Sequence, residues 1–310
     1  MASKTEPNRI YCFQITEETE DERIDKFLSE CIASLSRSYI QKLLKEGLVQ
    51  VNGSPVKANY RLTCEDEVRL ELPPASEPDI QPEKIPLDIL FEDEDILVVN
   101  KPKGMVVHPA AGHYTGTLVN AVMEHCKENL SGINGVLRPG IVHRIDRDTT
   151  GSVIICKNDY AHSRIAAQLK EHSVVRRYHA ICYGVLTEDE KTICAPIGRH
   201  PTDRKKMAVN EKNGKAAVTH IKVLRRFTNY TYIECRLETG RTHQIRVHMA
   251  SIGHPLLGDE VYAAGRKSPF KLEGQCLHAR ILGFEHPRTG TYIETDAPLP
   301  EYFQHLLRIL

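Results

Sequence analysis

Apolar and polar positions near the N-terminus repeat first at helical and then at strand spacing. Apolar side chains recur every three or four residues over 24–35, and Ser36 is placed to cap a second short helix that stops at Gly47. Apolar residues then alternate with polar ones over 49–51 and 68–72, with an Asn-Gly turn after the first run. The pattern predicts two short helices packed on a small β hairpin.

The remaining chain interleaves predicted strands and helices irregularly. "DILVVNKP" and residues 152–156 are apolar runs typical of buried strands, residues 118–126 carry one apolar helical face, and "TYIECRLE" alternates apolar with polar residues. No repeat of fixed length, no G-x-G-x-x-G segment and no phosphate-binding P-loop occurs. The order predicts a mixed, mainly antiparallel sheet with flanking helices, and it indicates neither a solenoid nor a nucleotide-phosphate site.

A proline-rich, acidic stretch lies between these two parts. "PPASEPDIQPEKIP", residues 73–86, can form neither a continuous helix nor a central strand, so it is predicted to be a linker. The predicted organisation has four segments: an N-terminal extension over 1–15, a small domain over 16–73, the linker over 74–86 and a large domain over 87–310.

Composition bounds the class of protein. The chain has 310 residues, of which 41% are hydrophobic and 26% charged, and its formal net charge is zero. It carries no apolar run long enough to span a bilayer, and its first twenty residues are polar and acidic, so the sequence predicts a cytoplasmic protein without a membrane partner. Nine scattered cysteines without a C-x-x-C pair are predicted to be reduced core thiols.

Motifs for metal and serine chemistry are absent from the sequence. His243 and His248 are five positions apart rather than four, and no H-E-x-x-H motif or zinc-spaced Cys/His pair occurs. No G-x-S-x-G nucleophile motif occurs either. The sequence therefore predicts no metal site, and attention moves to the carboxylates.

One charged segment has apolar residues on both sides. "GIVHRIDRDTTG", residues 140–151, places Arg144, Asp146, Arg147 and Asp148 almost next to one another, and an apolar run follows it directly. A solvated loop with local ion pairs is one interpretation. Because both ends of the loop are anchored in apolar segments, a rigidly held loop that carries chemistry is the other.

A second segment can supply a cation for such a carboxylate. "LETGRTHQIRVHMASIG" ends a strand, turns at Gly240 and enters a helix capped near Thr242, so Arg241 lies at the junction of strand and helix. An arginine there can keep an aspartate ionised and oriented. A purely structural ion pair or a helix cap remains the alternative.

The small domain resembles the RNA-binding module named after ribosomal protein S-four. The resemblance rests on Arg23-Ile-Asp25, Ser36-Arg37, Val51-Asn52-Gly53 and the acidic run at 65–67. Spacing alone leaves open whether the basic face of the second helix follows a phosphate backbone or is merely solvated. The resemblance implies that Arg37, Lys42 and Lys45 contact RNA.

The chain from about Arg23 to about Pro298 resembles the RluA/RluD-type RNA pseudouridine synthases. The matching segments are "LFEDEDILVVNKPKGMVVHPAAGH", "GIVHRIDRDTTG", "VVRRYHAICYG", "PIGRHPTDRKKMAV", "LETGRTHQIRVHMASIGHPLLGDEVY" and "LHARILGFEHPRTG". The resemblance implies an α+β fold and makes Asp146 the catalytic residue, with Ile145 a conservative departure from the leucine of the family signature. It also implies that Tyr178 lies in the uridine pocket and that Arg241 pairs with Asp146.

The implied reaction explains the residue types. Converting uridine to pseudouridine moves the ribose bond from uracil N1 to C5 without redox change or loss of a group, so no cofactor is expected. An ionised Asp146 suffices whether it attacks C1′, attacks uracil C6 or removes a ribose proton, and the sequence does not separate these routes. Tyr178 would stack on the base and lie near the C5 proton, which makes it a candidate final base.

RNA contacts follow from the same resemblance. A stacked uridine must be flipped out, and Arg144, two residues before Asp146, is placed to fill the vacated stack or hold a flanking phosphate. Arg199, Lys205 and Lys206 in "RHPTDRKK" are expected to contact the backbone further out. The expected partner is 23S-type ribosomal RNA or a pre-ribosomal particle, bound by a monomer. The alternative is a non-catalytic RNA- or ribosome-binding protein.

Overall fold

The structure is a computed structural model. It describes residues 9–32, 35–73, 80–109, 114–127, 129–135, 138–203, 206–263, 265–266 and 268–310. The chain divides into two units, Met1–Glu77 and Pro78–Leu310.

The first unit contains two helices on a small antiparallel sheet, as the periodicity predicts. Its elements are β1 (Arg9–Gln14), a 3-10 turn (Glu17–Thr19), α1 (Ile24–Cys31), α2 (Arg37–Lys45), β2 (Val49–Val51), β3 (Ser54–Pro55) and β4 (Glu67–Leu72). The sheet order is β1-β4-β2-β3. The Ser36 hydroxyl accepts from Tyr39 N and caps α2, which confirms the predicted cap. Strand β1 was not foreseen, and it lies within the segment predicted to be an N-terminal extension.

The second unit is built on a large sheet. Its strands are β5 (Ile89–Glu92), β6 (Ile96–Lys101), β7 (Thr150–Cys156), β8 (Val175–Tyr183), β9 (Glu190–Cys194), β10 (Ile197–Arg199), β11 (Met207–Val209), β12 (Val218–Arg226), β13 (Tyr230–Leu237), β14 (Leu277–Glu285) and β15 (Tyr292–Asp296). Its helices are α3 (Leu118–Cys126), α4 (Asp159–Lys170), α5 (Gln244–Ser251) and α6 (Glu301–Ile309).

Nine strands join in one sheet in the order β5-β6-β7-β14-β8-β13-β12-β9, with β15 also paired to β14. Only β7 and β14 run parallel among the described pairs, and the others are antiparallel. Strands β10 and β11 form a separate two-stranded hairpin. The predicted α+β architecture with a mixed, mainly antiparallel sheet is confirmed.

Helices cover both faces of the sheet. Because strand side chains alternate between the two faces, each strand contributes apolar residues to both. On one face, the buried residues of α3 and α5 share a core with alternate residues of β6, β7, β8 and β13. On the other face, α4 packs on the opposite residues of β6 and β7, and α6 packs on those of β8. The end of α5 and the ends of β8 and β13 therefore meet on one side of the sheet.

The segment predicted as a linker is partly described. Residues 80–86 have no regular secondary structure, yet Ile80 is buried in the core of the second unit. The side-chain amide of Asn120 donates to Gln81 O, and the Glu83 carboxylate accepts from Gly116 N. These residues are therefore held along α3. No helix in the described parts of the chain has both the length and the apolar character needed to cross a membrane.

Candidate active site

The loop that carries Asp146 is fixed at several points. It follows Ile141, which bridges to Ile155 of β7, and it ends where β7 begins. The His143 Nε2 atom accepts from Ile154 N at 3.0 Å, and Lys101 Nζ donates to Arg147 O at 2.9 Å. This loop is anchored, as its apolar flanks predict, and it is not a freely solvated segment.

Lys101 is the deepest of these anchors. Its side chain is fully buried, and Nζ donates to the backbone carbonyls of Pro102, Met105 and Arg147 at 2.8 to 2.9 Å. Burial lowers the pKa of Lys101 to about 7, against the opposing influence of the Asp148 and Asp146 charges. The end of β6 is thereby tied to the residue that follows Asp146.

The opposed charges of the loop are divided among different partners. Arg147 makes two hydrogen bonds to the carboxylate of its neighbour Asp148, both at 3.0 Å. Arg144 donates to Nε2 of His108 at 3.3 Å, and burial, followed by the nearby Arg144 charge, lowers the pKa of His108 to about 4. Asp146 is left to face a different element, with 20% of its side chain exposed.

Asp146 is paired with Arg246 on α5. Arg246 Nη1 donates to Asp146 Oδ2 at 2.9 Å, and the other side of the same guanidinium makes two bonds, at 2.7 and 2.9 Å, to the buried carboxylate of Asp259. Burial alone lowers the pKa of Arg246, but hydrogen bonding and the charges of both aspartates raise it overall. The arginine is therefore a permanent cation that Asp259 aims at Asp146.

The expected ion pair between Asp146 and Arg241 is not present. The Arg241 Nε atom instead donates to Ala216 O at 2.9 Å, although the residue does line the cleft beside Asp146. The helix begins only at Gln244, and His243 before it adopts a left-handed backbone with φ 56°. This turn separates Arg241 from the face of α5 that points to Asp146, and Gln244 fixes the turn by accepting from Arg241 N.

His243 approaches the other oxygen of Asp146. Its Nε2 atom lies 3.7 Å from Asp146 Oδ1, and its Nδ1 atom lies 2.8 Å from the hydroxyl of Tyr262. Burial lowers the pKa of His243, against the raising influence of Asp146. A neutral imidazole with its proton on Nε2 fits this arrangement, because Nδ1 can then accept from the tyrosine.

Tyr178 closes the opposite side of the cleft. It lies on β8 between Cys235 of β13 and Ala279 of β14, and its side chain is 8% exposed. Burial raises the pKa of Tyr178, so it is a neutral phenol near pH 7. The cleft it shares with Asp146 has a volume of about 360 Å³ and is also lined by Leu237 and Leu277. Such a space offers one carboxylate beside apolar and aromatic walls.

The basic residues predicted in the first unit have different surroundings. Arg37 makes two hydrogen bonds to the buried carboxylate of Asp25, which Arg23 and Gln41 also contact. Lys42 and Lys45 are exposed on α2, where Lys42 lies 3.7 Å from Glu46. The guanidinium of Arg37 thus holds α2 to α1, and the two lysines present the outward charge.

The predicted outer RNA contacts lie near the β10–β11 hairpin. Arg199 ends β10 and is exposed, and Lys206 precedes β11 with its Nζ 3.9 Å from Asp203. Lys205 lies outside the described residues. Within those residues, no group of three or more potential metal-ligating side chains converges.

Two family models match the sequence. The model described as RNA pseudouridylate synthase covers residues 95–251, and the S4 domain model covers residues 22–68. The chain belongs to the RNA pseudouridylate synthase family. The synthase domain contains Asp146, Tyr178 and Arg246, and the S4 match covers both helices of the first unit.

Relatives match the synthase over nearly its whole length. It is 54% identical to "Uncharacterized RNA pseudouridine synthase YlyB" of Bacillus subtilis, over 95% of this chain and 96% of that protein. It is 46% identical to "Ribosomal large subunit pseudouridine synthase D" of Zymomonas mobilis, over 96% of both chains. The resemblance stated from the motifs is confirmed.

Solved structures support the fold of the larger unit. The human RNA pseudouridylate synthase domain containing 1 protein is 26% identical, with a TM-score of 0.56 over 73% of the synthase and 95% of that chain. The human domain containing 4 protein is also 26% identical, with a TM-score of 0.55 over 71% of the synthase and 92% of that chain. The predicted pseudouridine synthase fold is confirmed.

Sequence reasoning missed Arg246, Asp259 and His243 in the synthase site. All six residues from Gln244 to Met249 are buried, so α5 has no polar face that would single out one of them. The available signal was the arginine itself, because an arginine buried among apolar residues is usually paired with a carboxylate. "GDE" at 258–260 supplies that partner.

Proposed function

We propose that the synthase converts uridines of large-subunit ribosomal RNA to pseudouridine in the cytoplasm, with Asp146 as the catalytic carboxylate. The observation that carries the assignment is the 2.9 Å contact between Asp146 Oδ2 and Arg246 Nη1 at the wall of a cleft. Two of the relatives named for the ribosomal large subunit, which are 46% and 43% identical over almost the whole chain, support the choice of RNA.

The reaction needs an anion that is positioned and kept charged. The N1–C1′ bond breaks, the uracil turns, the C5–C1′ bond forms, and the proton lost from C5 is balanced by one gained at N1. Each of the three routes open to Asp146 starts from its ionised oxygen. Arg246 contacts one oxygen of Asp146 at 2.9 Å and orients the carboxylate, and the other oxygen lies 3.7 Å from His243 and is free of the arginine.

Tyr178 is assigned the contact with the uracil. Its ring provides an aromatic wall for the base, and Leu237 and Leu277 provide apolar walls beside it. Because burial raises its pKa, Tyr178 keeps its proton near pH 7 and would act as a base only after giving that proton away. Stacking is therefore its primary role in this account, and removal of the C5 proton is a secondary one.

Arg144 is assigned the stabilisation of the flipped state. Its side chain is exposed and lines the cleft, and it contacts neutral His108 and pairs with no carboxylate among the described residues. Extruding a stacked nucleotide costs a few kcal/mol, roughly, and a planar guanidinium can stack in the gap or bind the neighbouring phosphate. Arg241 lines the same cleft and is assigned an RNA contact, since its expected partner is held by Arg246.

The S4 unit is assigned RNA binding through Lys42 and Lys45. Both are exposed on α2, and Arg37 connects α2 to α1 by hydrogen bonding to Asp25. Arg199 and Lys206 at the β10–β11 hairpin are assigned further backbone contacts. Phosphate contacts of this kind add affinity without reading sequence.

The substrate is tested by mapping pseudouridine in ribosomal RNA from matched cells with and without the gene for this chain. One or more large-subunit sites should lose the modification and regain it when the wild-type gene is restored. Restoration with Asp146→Asn should leave those sites unmodified. Unchanged large-subunit maps, with a loss at a transfer RNA or small-subunit position, would contradict the proposed substrate.

A further inference from the structure

A second depression adjoins the cleft of Asp146. It has a volume of about 1110 Å³ and runs from the cleft past β8 to the end of α4. Four residues line both spaces, so the two are adjacent: Arg144, Tyr178, Leu237 and Arg241. We name this second space the basic groove.

The charged side chains that line the basic groove are all positive. Four of its lining side chains are basic, namely Arg144, Lys170, Arg176 and Arg241, and no aspartate or glutamate lines it. None of the four makes an ion pair with a carboxylate among the described residues. By contrast, Arg177, the next residue on β8, pairs with Glu294 and Glu234 on its own side of the sheet.

Arg176 is the unusual member of this set. It is 7% exposed, and Nη2 donates to the backbone carbonyl of Glu238 at 3.0 Å. Its buried Nε atom has no acceptor within the described part of the chain. Burial lowers the pKa of Arg176, which expresses the cost of holding an uncompensated charge away from water.

The backbone leaves room for this guanidinium. A Cβ added at Gly240 would lie 2.6 Å from Nη1 of Arg176, so the glycine leaves space for the guanidinium in its present position. The strand-to-helix turn at Gly240 therefore accommodates an arginine whose charge the protein does not neutralise. A buried cation that destabilises the unliganded fold is typical of a site that receives an anion.

We propose that the basic groove binds the phosphate backbone of the RNA strand adjoining the flipped uridine, with buried Arg176 as its anchor and Lys170 at its rim. This inference rests on the proposed function, because it takes the Asp146 cleft to hold the uridine. A strand entering or leaving that cleft brings its phosphates to the adjacent basic groove. The planar guanidinium fork of Arg176 matches phosphate oxygens, and the three other cations spread along the groove suit a chain of anions.

The test compares binding of a short fluorescein-labelled oligouridylate by full-length variants over a series of salt concentrations. Each phosphate of this probe flanks a uridine, so the result does not depend on which natural uridine is modified. Arg176→Met has Arg177→Met as its control on the same strand, and Lys170→Ala has Arg164→Ala as its exposed control on α4. Thermal midpoints are measured without RNA.

Arg176→Met should bind the probe roughly tenfold to a hundredfold more weakly, the range for a lost hydrogen bond between charged groups. Its slope of log affinity against log salt should fall by about 0.7, the value for one contact to a single strand. Its thermal midpoint should equal or exceed that of the wild type, because an uncompensated buried charge is removed. Arg177→Met should lower the midpoint, since it leaves Glu294 and Glu234 unpaired, and should keep its affinity.

Lys170→Ala removes an exposed side chain and cannot act through the fold. It should also lower the salt slope by about 0.7, whereas Arg164→Ala should leave it unchanged. Unchanged affinity and slope in Arg176→Met and Lys170→Ala would overturn the proposal. So would a lower thermal midpoint of Arg176→Met with unchanged binding, which would make Arg176 a structural residue.

The two proposals fail in different ways. A wild-type protein that binds oligouridylate but forms no pseudouridine in any ribosomal RNA would contradict the proposed function, while the comparison of binding would still support the basic groove. Full modification by Arg176→Met with unchanged binding would contradict the basic groove and leave the proposed function intact.

Discussion

At the scale of single residues, one guanidinium serves two carboxylates with different tasks. Asp259 is buried and holds Arg246 through two hydrogen bonds, whereas Asp146 is partly exposed and receives one. The bidentate contact fixes the plane of the guanidinium, so Nη1 is already directed at Asp146 before RNA binds. Asp259 does not line the cleft, so it acts through Arg246 as a positioning residue.

Asp259→Asn should lower both stability and turnover. The substitution breaks a buried ion pair, which costs about 3 kcal/mol or more of unfolding free energy, and it frees Arg246 to rotate away from Asp146, at a cost of up to about 10² in rate. Denaturant unfolding and single-turnover kinetics measure the two effects. Asp296→Asn is the control: its pair with Arg280 is exposed, so the loss should stay within about 1 kcal/mol.

The sequence predicts those site residues that stand in a recognisable local motif. It does not predict residues whose place in the site depends on the folded backbone. Asp146 and Tyr178 stand in contiguous motifs, and they do line one cleft. The arginine partner was assigned to Arg241 because a strand-to-helix junction was predicted at the right place. The left-handed turn at His243 decides which arginine faces Asp146, and no local pattern in the sequence announces that conformation.

At the scale of elements, the Asp146 loop depends on the parallel contact between β7 and β14. The pairing places His278 opposite Thr150 and Ala279 opposite Gly151, directly after the loop. A Cβ at Gly151 would lie 2.2 Å from Ala279 O, and its φ of +110° is unfavourable for other residues. Only glycine lets the two strands come this close.

Gly151→Ala should destabilise the second unit by more than about 2 kcal/mol and displace the Asp146 loop. Backbone strain alone accounts for about 1 to 3 kcal/mol, and the contact with Ala279 O adds to it. Gly253→Ala is the control: Gly253 also has a positive φ but open space around its Cβ position, so the cost should be about 1 kcal/mol. Similar losses in both variants would show that the close strand approach does not matter.

Local periodicity was enough for most elements and insufficient for their pairing. The runs at 118–126 and 231–238 appear as α3 and β13 because each carries its own pattern. The pairing of β7 with β14 joins residues more than a hundred positions apart. Strand β1 likewise pairs with β4, which is distant from it in the sequence. Strand partners are chosen by tertiary packing, which a single sequence does not display.

At the scale of the whole molecule, the two units differ in the titratable groups that respond to acid. All fifteen histidines lie after residue 77, and burial lowers the pKa of His108 and His179 to about 4. The first unit relies on Asp25: burial alone would raise its pKa, but hydrogen bonds from Arg37, Arg23 and Gln41 hold it well below the ordinary range. The units should therefore respond differently to acid.

Acidification from about pH 6.5 to pH 4 should weaken the second unit selectively. A histidine with a lowered pKa in the folded state binds fewer protons there than in the unfolded state across this window. The free energy of unfolding therefore decreases as the pH decreases. Asp25 has a lowered pKa, so its stabilising contribution persists above about pH 4 and is lost only below it. Hydrogen exchange of the full chain, corrected for intrinsic rates, should show lost protection beyond residue 77 first. Earlier loss in the first unit would contradict this prediction.

A single-turnover measurement on Asp146→Asn with saturating ribosomal RNA tests whether Asp146 performs the chemistry. The amide is nearly isosteric but cannot carry the charge, so RNA affinity should be retained while pseudouridine formation falls by at least about 10² to 10⁴. Asp148→Asn loses the ion pair with the exposed Arg147, and because Asp148 does not line the cleft it should stay within about tenfold of the wild type. An Asp146→Asn rate within about tenfold of the wild type would contradict a catalytic role for Asp146.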